Sequence, residues 1–377
     1  MDIGSKIELV KKGSTQEIVT EGELRQLFET NAHPKHYIGF EISGLVHIAT
    51  GLLTALKLKD FMAAGIKPTI FLADYHAWLN GKLGGDLEKI EWVGKNYFVK
   101  CFECLGLPPE KVDYVFASEL YEKMGKDYWR DVMKIAKDTT SKRMLRCTTI
   151  MGRTETENLQ VAAFLYPAMQ AADIWALDVD IAHAGMDQRK VHMLSRELSE
   201  KYGVKKAVAV HGRLLGGLKG PKRMDADAQG GGKKQFDGGK NAMMDEITRD
   251  ALTIENKMSK SNPDSAVFIH DSEEEIMRKM KKAHCPANTV EGNPIIDYAQ
   301  AFVLRERPLR VERDSKFGGD VEFANADELR MAFSEGKLHP ADLKNAVGRE
   351  LAGMLKPARD YFGGKEGLIE EVRKARE

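Results

Sequence analysis

The stretch from Tyr166 to Glu197 carries the side chains best spaced for chemistry. Tyr166, Gln170 and Asp173 stand at i, i+4 and i+7 and so share one face of a helix. Leu177-Asp178-Val179-Asp180-Ile181-Ala182 has the length and alternation of a short strand. Gly185-Met186-Asp187-Gln188 then turns into a second helix bearing Arg189, Lys190, His192 and Arg196. A phenol, two amides and a carboxylate would meet at the end of a strand, where an open α/β sheet holds its ligand. Taken alone, the same residues also fit a helix start with ordinary polar capping.

Two further segments carry matching chemistry. Tyr37-Ile-Gly-Phe-Glu41-Ile-Ser43-Gly44-Leu-Val-His47-Ile-Ala49-Thr50 ends a strand and opens a helix. Its glycine allows close backbone approach, the helix start favours phosphate, and His47 can donate to a phosphate oxygen. Far downstream, Lys257-Met258-Ser259-Lys260-Ser261 sets two lysines on a loop.

Together the three segments resemble the class I aminoacyl-tRNA synthetases, specifically the archaeal and eukaryotic type of tyrosyl-tRNA synthetase, over about Tyr37 to Tyr361. The resemblance implies amino-acid activation by ATP with release of pyrophosphate, followed by transfer to tRNA(Tyr). Catalysis would rest on positioning and charge stabilisation. His47, Thr50, Lys257 and Lys260 would be the catalytic clamps. Gly39, Ser43, Gly44, His47, Gly185, Asp187, Lys257, Ser259 and Lys260 would hold ATP, with Mg2+ expected beside it and no metal site of protein ligands alone. Tyr37 and Asp173 would bind the phenolic hydroxyl of L-tyrosine, while Tyr166, Gln170 and Gln188 would hold its ammonium beside Glu41. Asp187 fits either a ribose contact or a helix cap, and Phe71 and His76 either line the pocket or simply pack. Two departures stand out: Ala49 and Thr50 replace the glycine and final histidine of the HIGH word, and Lys260 adds a charge where most archaeal relatives have serine.

The elements needed to position these residues follow from the pattern. Strand-like runs at Lys35–Glu41, Lys67–Ala73, Tyr114–Ala117 and Val179–Ala182 alternate with helical stretches, the first helix starting at about Leu45. Such alternation predicts an α/β, Rossmann-like, doubly wound parallel sheet. Residues 1–36 read as a helical lead-in, with a capping box at Thr20 and Glu23. The catalytic domain is expected over 37–274, including an acceptor-stem and dimer segment at about 115–160 and a Gly/Lys/Asp-rich flexible insertion at about 219–254. An α-helical anticodon-binding domain is expected over 275–377. There Phe317 would stack a base and Asp342, with His339 nearby, would read its edge; LHPADLKNAV also reads as a plain helix start with Pro340 near its first turn. Lys142, Arg143 and Arg146 fit either a solvated face or phosphate contacts to tRNA.

Composition sets the outer bounds. The 377 residues have no net charge, so nucleic acid must be met by local patches. The four cysteines form no disulfide framework, and the lone Cys101-Phe-Glu-Cys104 pair reads as structural. No apolar run would span a bilayer and no signal-peptide core is present, so the expected location is the cytosol. Homodimerisation follows from the resemblance alone. Two other readings remain: a tryptophan enzyme of the same architecture, which would not need the Tyr37/Asp173 pair, and a catalytically silent RNA-binding relative, suggested by the degenerate His47–Thr50 word.

Overall fold

The computed structural model describes residues 1–152, 158–220 and 263–375. Six strands build its main sheet: β1 (Thr15–Val19), β2 (Lys35–Phe40), β3 (Lys67–Leu72), β4 (Asp113–Phe116), β5 (Ile181–Gly185) and β6 (Val208–Gly212). Their order is β1-β6-β5-β2-β3-β4, parallel throughout except for β1, which runs antiparallel to β6. From β2 the chain winds outward through β3 and β4, then returns to the other side of β2 with β5 and β6. The order therefore reverses between β2 and β5, where a doubly wound sheet opens its crevice.

Period-two alternation sends neighbouring residues to opposite faces. On one face Ile38, Ile70, Ile181 and Val210 join Val46, Leu52 and Phe61 in an apolar cluster. On the other, Tyr37, Phe71 and Ala182 join Tyr166, Met169 and Trp175. The helix Ala162–Ala176 thus lies over the Tyr37 face with Tyr166, Gln170 and Asp173 turned inward, all three buried.

Three sequence expectations need correction. The lead-in is not wholly helical: Thr15–Val19 pairs with β6 as an edge strand. Its capping box is real, since Thr20 accepts from the Glu23 amide at 3.1 Å and Glu23 from the Thr20 amide at 3.0 Å. The strand expected over Leu177–Ala182 runs instead over Ile181–Gly185. Asp178 adopts φ of +49°, and the Asp180 carboxylate accepts from the Lys35 amide at 2.7 Å, so the aspartates make a turn.

The helix expected from about Leu45 starts at Leu52, because the preceding residues pair elsewhere. Ile48 donates to the Val267 carbonyl at 2.9 Å and Ile269 to the Val46 carbonyl at 3.1 Å, leaving a short antiparallel bridge at His47. Gly44, at φ of +103°, makes the turn into that bridge rather than opening a helix.

The C-terminal region is mostly helical, as expected, with one small hairpin. A hairpin of β7 (Leu309–Val311) and β8 (Val321–Phe323) flanks Phe317, among helices Glu273–Lys282, Ala326–Ser334 and Pro340–Met354. Buried residues on both sides of position 275, such as Ile269, Ile276 and Val347, belong to one apolar cluster. Of the expected insertion only Lys219 and Gly220 are described; the rest of it, and Lys257, Ser259 and Lys260, lie outside the described residues. Among the described residues no helix is long and apolar enough to cross a membrane.

Candidate active site

A cleft of about 680 Å³ opens at the C-terminal ends of β2, β3, β5 and β6. Tyr37, Gly39, Glu41, Ser43, His47, Thr50, Phe71, His76, Tyr166, Gln170, Asp173, Gly185, Asp187 and Gln188 all line it. Residues separated by up to 151 positions in sequence (37 to 188) therefore meet at the topological switch point.

The deep end is organised around Asp173, which is 1% exposed. Tyr121 and Tyr128 both donate to its Oδ1, at 2.8 and 2.9 Å, and their rings stack at 3.8 Å. Its Oδ2 lies 3.5 Å from His76 Nε2. Burial drives the His76 imidazole down to about 3, so it is neutral, and neither ring nitrogen has a hydrogen-bond partner among the described residues. Burial pushes the Asp173 carboxyl up to about 8, against the two phenol donors that favour ionisation. Tyr37 packs edge-on against Phe71 and stands over Gly39, where a Cβ would come within 3.2 Å of its hydroxyl. Burial first, then the Asp173 charge, raises the Tyr37 pKa, so its phenol stays protonated as a donor.

Nearer the mouth, Glu41 accepts at Oε1 from the Tyr166 hydroxyl (2.8 Å) and from Asn80 (2.7 Å), with Lys82 3.6 Å from its other oxygen. Gln170 donates to Gln188 at 3.1 Å, and Gln188 donates to the Ile150 carbonyl at 3.1 Å. Carboxylate and amide oxygens of this kind can accept from an ammonium group.

At the other end of the cleft, His47 is held in the bridge to Phe268, with the Thr50 amide 3.3 Å from its Nδ1 and the Thr50 hydroxyl 3.5 Å from its Nε2. Across the crevice, a Cβ at Gly185 would lie 2.5 Å from Asp187 Oδ1 and 2.7 Å from Leu214. Glycine there keeps the Asp187 carboxylate beside the strand end.

The remaining predicted residues among those described lie outside the cleft. Arg143 is paired with Glu197 at 2.9 Å, Lys142 is exposed, and Arg146 Nε is buried with no partner among the described residues. Phe317 is 63% exposed on the hairpin turn. His339 caps the Pro340–Met354 helix through Nδ1, 3.1 Å from the Ala341 amide, and Asp342 sits in its first turn. Cys104 donates to the Cys101 carbonyl at 3.2 Å, as a structural pair would.

Tyr121, Tyr128 and Asn80 escaped the sequence reading. The two tyrosines are seven residues apart on separate helices, Ala117–Met124 and Lys126–Lys137, so no single-helix period linked them to Asp173. Their role predicts that Tyr128→Phe lowers kcat/KM for a substrate that donates to Asp173 by about tenfold, the worth of one hydrogen bond to a charged group. Loss of that donor also moves the acid limb of the pH profile upward, which a pH titration of kcat/KM checks.

Comparison with known proteins fits this geometry. A family model described as class I tRNA synthetases (W and Y) matches residues 29–247 and 240–356. The tyrosine–tRNA ligase of Thermococcus gammatolerans is 46% identical over 391 residues, covering 100% of this chain and 99% of its own. That of Pyrococcus furiosus is 47% identical over 377 residues, with 96% of each covered. Among solved structures, tyrosyl-tRNA synthetase complexed with L-tyrosine from Pyrococcus horikoshii superposes with a TM-score of 0.88 at 45% identity, covering 99% of this chain and 100% of that one. Tryptophanyl-tRNA synthetase from Plasmodium falciparum, at 16% identity and a TM-score of 0.64, shares the fold.

Proposed function

This chain belongs to the class I tRNA synthetases of the tryptophan and tyrosine type, and from that premise we propose how its residues divide the work of a tyrosine–tRNA ligase. It activates L-tyrosine with ATP and transfers the tyrosyl group to tRNA. The observation that carries the choice of tyrosine is the buried carboxylate of Asp173, aligned by Tyr121 and Tyr128 beneath the cleft.

In this reading the substrate's phenol donates to Asp173 and accepts from Tyr37, while Tyr166, Gln170 and Gln188 hold its ammonium with Glu41 behind them. Its carboxylate oxygen then attacks the α-phosphorus of ATP. The bond from that phosphorus to the bridging oxygen breaks, and pyrophosphate leaves. His47 and Thr50 donate to phosphate oxygens, Asp187 accepts from a ribose hydroxyl, and Lys257 and Lys260 meet charge on the departing pyrophosphate. Among the described residues no group of His, Cys, Asp or Glu is placed to hold a metal ion. Mg2+ would therefore arrive on the phosphates of ATP.

Amino-acid-dependent pyrophosphate exchange tests the reading. Exchange is expected with tyrosine, at most weakly with phenylalanine, and not with tryptophan; exchange with none of them would overturn it.

The anticodon residues belong to the same proposal. Phe317 is exposed and would stack a base, and Asp342, half-buried in the first turn of its helix, would accept from the base edge. Phe317→Ala and Asp342→Ala are each expected to lower aminoacylation of tRNA about 10–100-fold, on the scale of one stacking or edge contact. Pyrophosphate exchange, which needs no tRNA, should be unchanged. A loss of exchange in parallel would remove both residues from tRNA recognition.

A homodimer fits as well. Trp129 (40% exposed) and Met133 (63%) lie one turn apart on the Lys126–Lys137 helix, with Val161 (82%) and Leu165 (43%) presented at the start of the helix Ala162–Ala176 that packs on it. Exposed apolar side chains of this kind would suit a partner surface, and Met133→Glu should then shift sedimentation from dimer to monomer. The reaction is proposed to run in the cytosol.

A further inference from the structure

We infer that Tyr97 is a positioning residue for adenylate formation, acting through the segment that presents His47. Tyr97 lies on a π-helical turn, Gly94–Phe98, and is fully buried. That turn is pressed against the end of β2: a Cβ at Gly94 would come within 2.8 Å of Ile42 and of Phe116. Such turns recur where a side chain must be aimed.

The Tyr97 hydroxyl does two things at once. It accepts from the Val46 amide at 3.0 Å and lies 3.3 Å from His270 Nδ1, to which it can donate. Val46 immediately precedes His47, and its carbonyl already takes the Ile269 amide. His270 immediately follows Ile269. One phenol oxygen therefore fastens both strands of the small bridge at His47. Phe362, from the C-terminal helix Lys356–Phe362, closes over the pair, its ring 5.5 Å from Tyr97 and 5.9 Å from His270. No other described side chain is shown bonding to the Val46 amide. Without Tyr97 that buried N–H would lose its partner, and the segment could regain one only by moving.

The inference rests on His47 being a phosphate ligand. Tyr97 touches no substrate; it sets where His47 stands. Tyr97→Phe keeps the ring and removes the one oxygen. Its expected result in pyrophosphate exchange is a kcat lowered at least about tenfold, the scale for a misplaced catalytic group, with KM for tyrosine within twofold of wild type. Tyr114→Phe is the control. It also removes a phenol hydrogen bond, to the Leu107 carbonyl at 2.6 Å, but on β4, away from His47; its kcat should be unchanged. His270→Ala is the second variant should Tyr97→Phe not fold. It removes only the second anchor, and a several-fold drop in kcat is expected.

An unchanged kcat in Tyr97→Phe overturns the inference. So does equal loss in Tyr97→Phe and Tyr114→Phe tracking their thermal stability, which would make the phenol merely structural. A shifted KM for tyrosine at constant kcat overturns it too. His47→Ala separates the two levels: if that variant keeps full activity, the phosphate role of His47 fails; if it loses activity while Tyr97→Phe does not, only the inference fails.

Discussion

Asp173→Ala is expected to lower kcat/KM for tyrosine in pyrophosphate exchange by about 10²–10⁴-fold and to erase most of the discrimination against phenylalanine. The substrate's phenol loses its acceptor. The Tyr121 and Tyr128 hydroxyls, buried and both committed to Oδ1, lose theirs as well. Each unmet group costs on the order of 1–3 kcal/mol, and about 1.4 kcal/mol is a factor of ten. Tyrosyl-tRNA synthetase is itself the standing example of this selectivity, about 10⁵ against phenylalanine without editing, and that figure is taken from the example rather than from this cleft. Measuring kcat/KM for both amino acids decides the matter: an unchanged ratio would remove Asp173 from phenol recognition.

The wild-type pH profile carries the same information. Burial raises the Asp173 carboxyl to about 8, above its unfolded value. The accepting carboxylate therefore forms only as pH rises through that region, so kcat/KM for tyrosine should climb with pH and fall below it, with an acid limb that Asp173→Asn lacks. For folding the sign is reversed. The folded state binds the proton more tightly than the unfolded chain, so this group's stabilisation is present at low pH and is lost as pH rises toward about 8.

His47→Ala is the second large effect. A donor aimed at charge that develops in the transition state is worth about 10²–10³ in kcat, and His47 lines the cleft from a backbone bridge that holds it in place. Tyrosine binding at equilibrium should be unchanged, since the phenol is held at the Asp173 end of the cleft. His47→Asn, which keeps a donor, should recover part of the loss. Tyrosine affinity falling in step with kcat would show that the substitution damages the whole cleft. Thr50→Val is expected to cost about tenfold or more, because a hydroxyl hydrogen bond to a charged phosphate oxygen is worth about 1.5–3 kcal/mol.

Much of this protein was legible without a structure. The helical spacing of Tyr166, Gln170 and Asp173 is dictated by 3.6 residues per turn, and their shared burial follows once one face of that helix meets the sheet. The alternation of apolar strands with helices determined the parallel, doubly wound order, because each parallel pair requires a crossover. Local chemistry also read true at the Thr20–Glu23 capping box and at Pro340 in a first turn.

Tertiary structure decided what local pattern could not. Val46-His47-Ile48 has the look of a helix start, yet its amides and carbonyls pair with Val267–Ile269, more than 200 positions away. Thr15–Val19 becomes a strand only because the open edge of β6 offers it partners. The phenols that align Asp173 arrive from two helices with no sequence period in common with it. Backbone and buried polar groups must each find a partner, and where that partner is remote in sequence, only the folded chain shows which one it is.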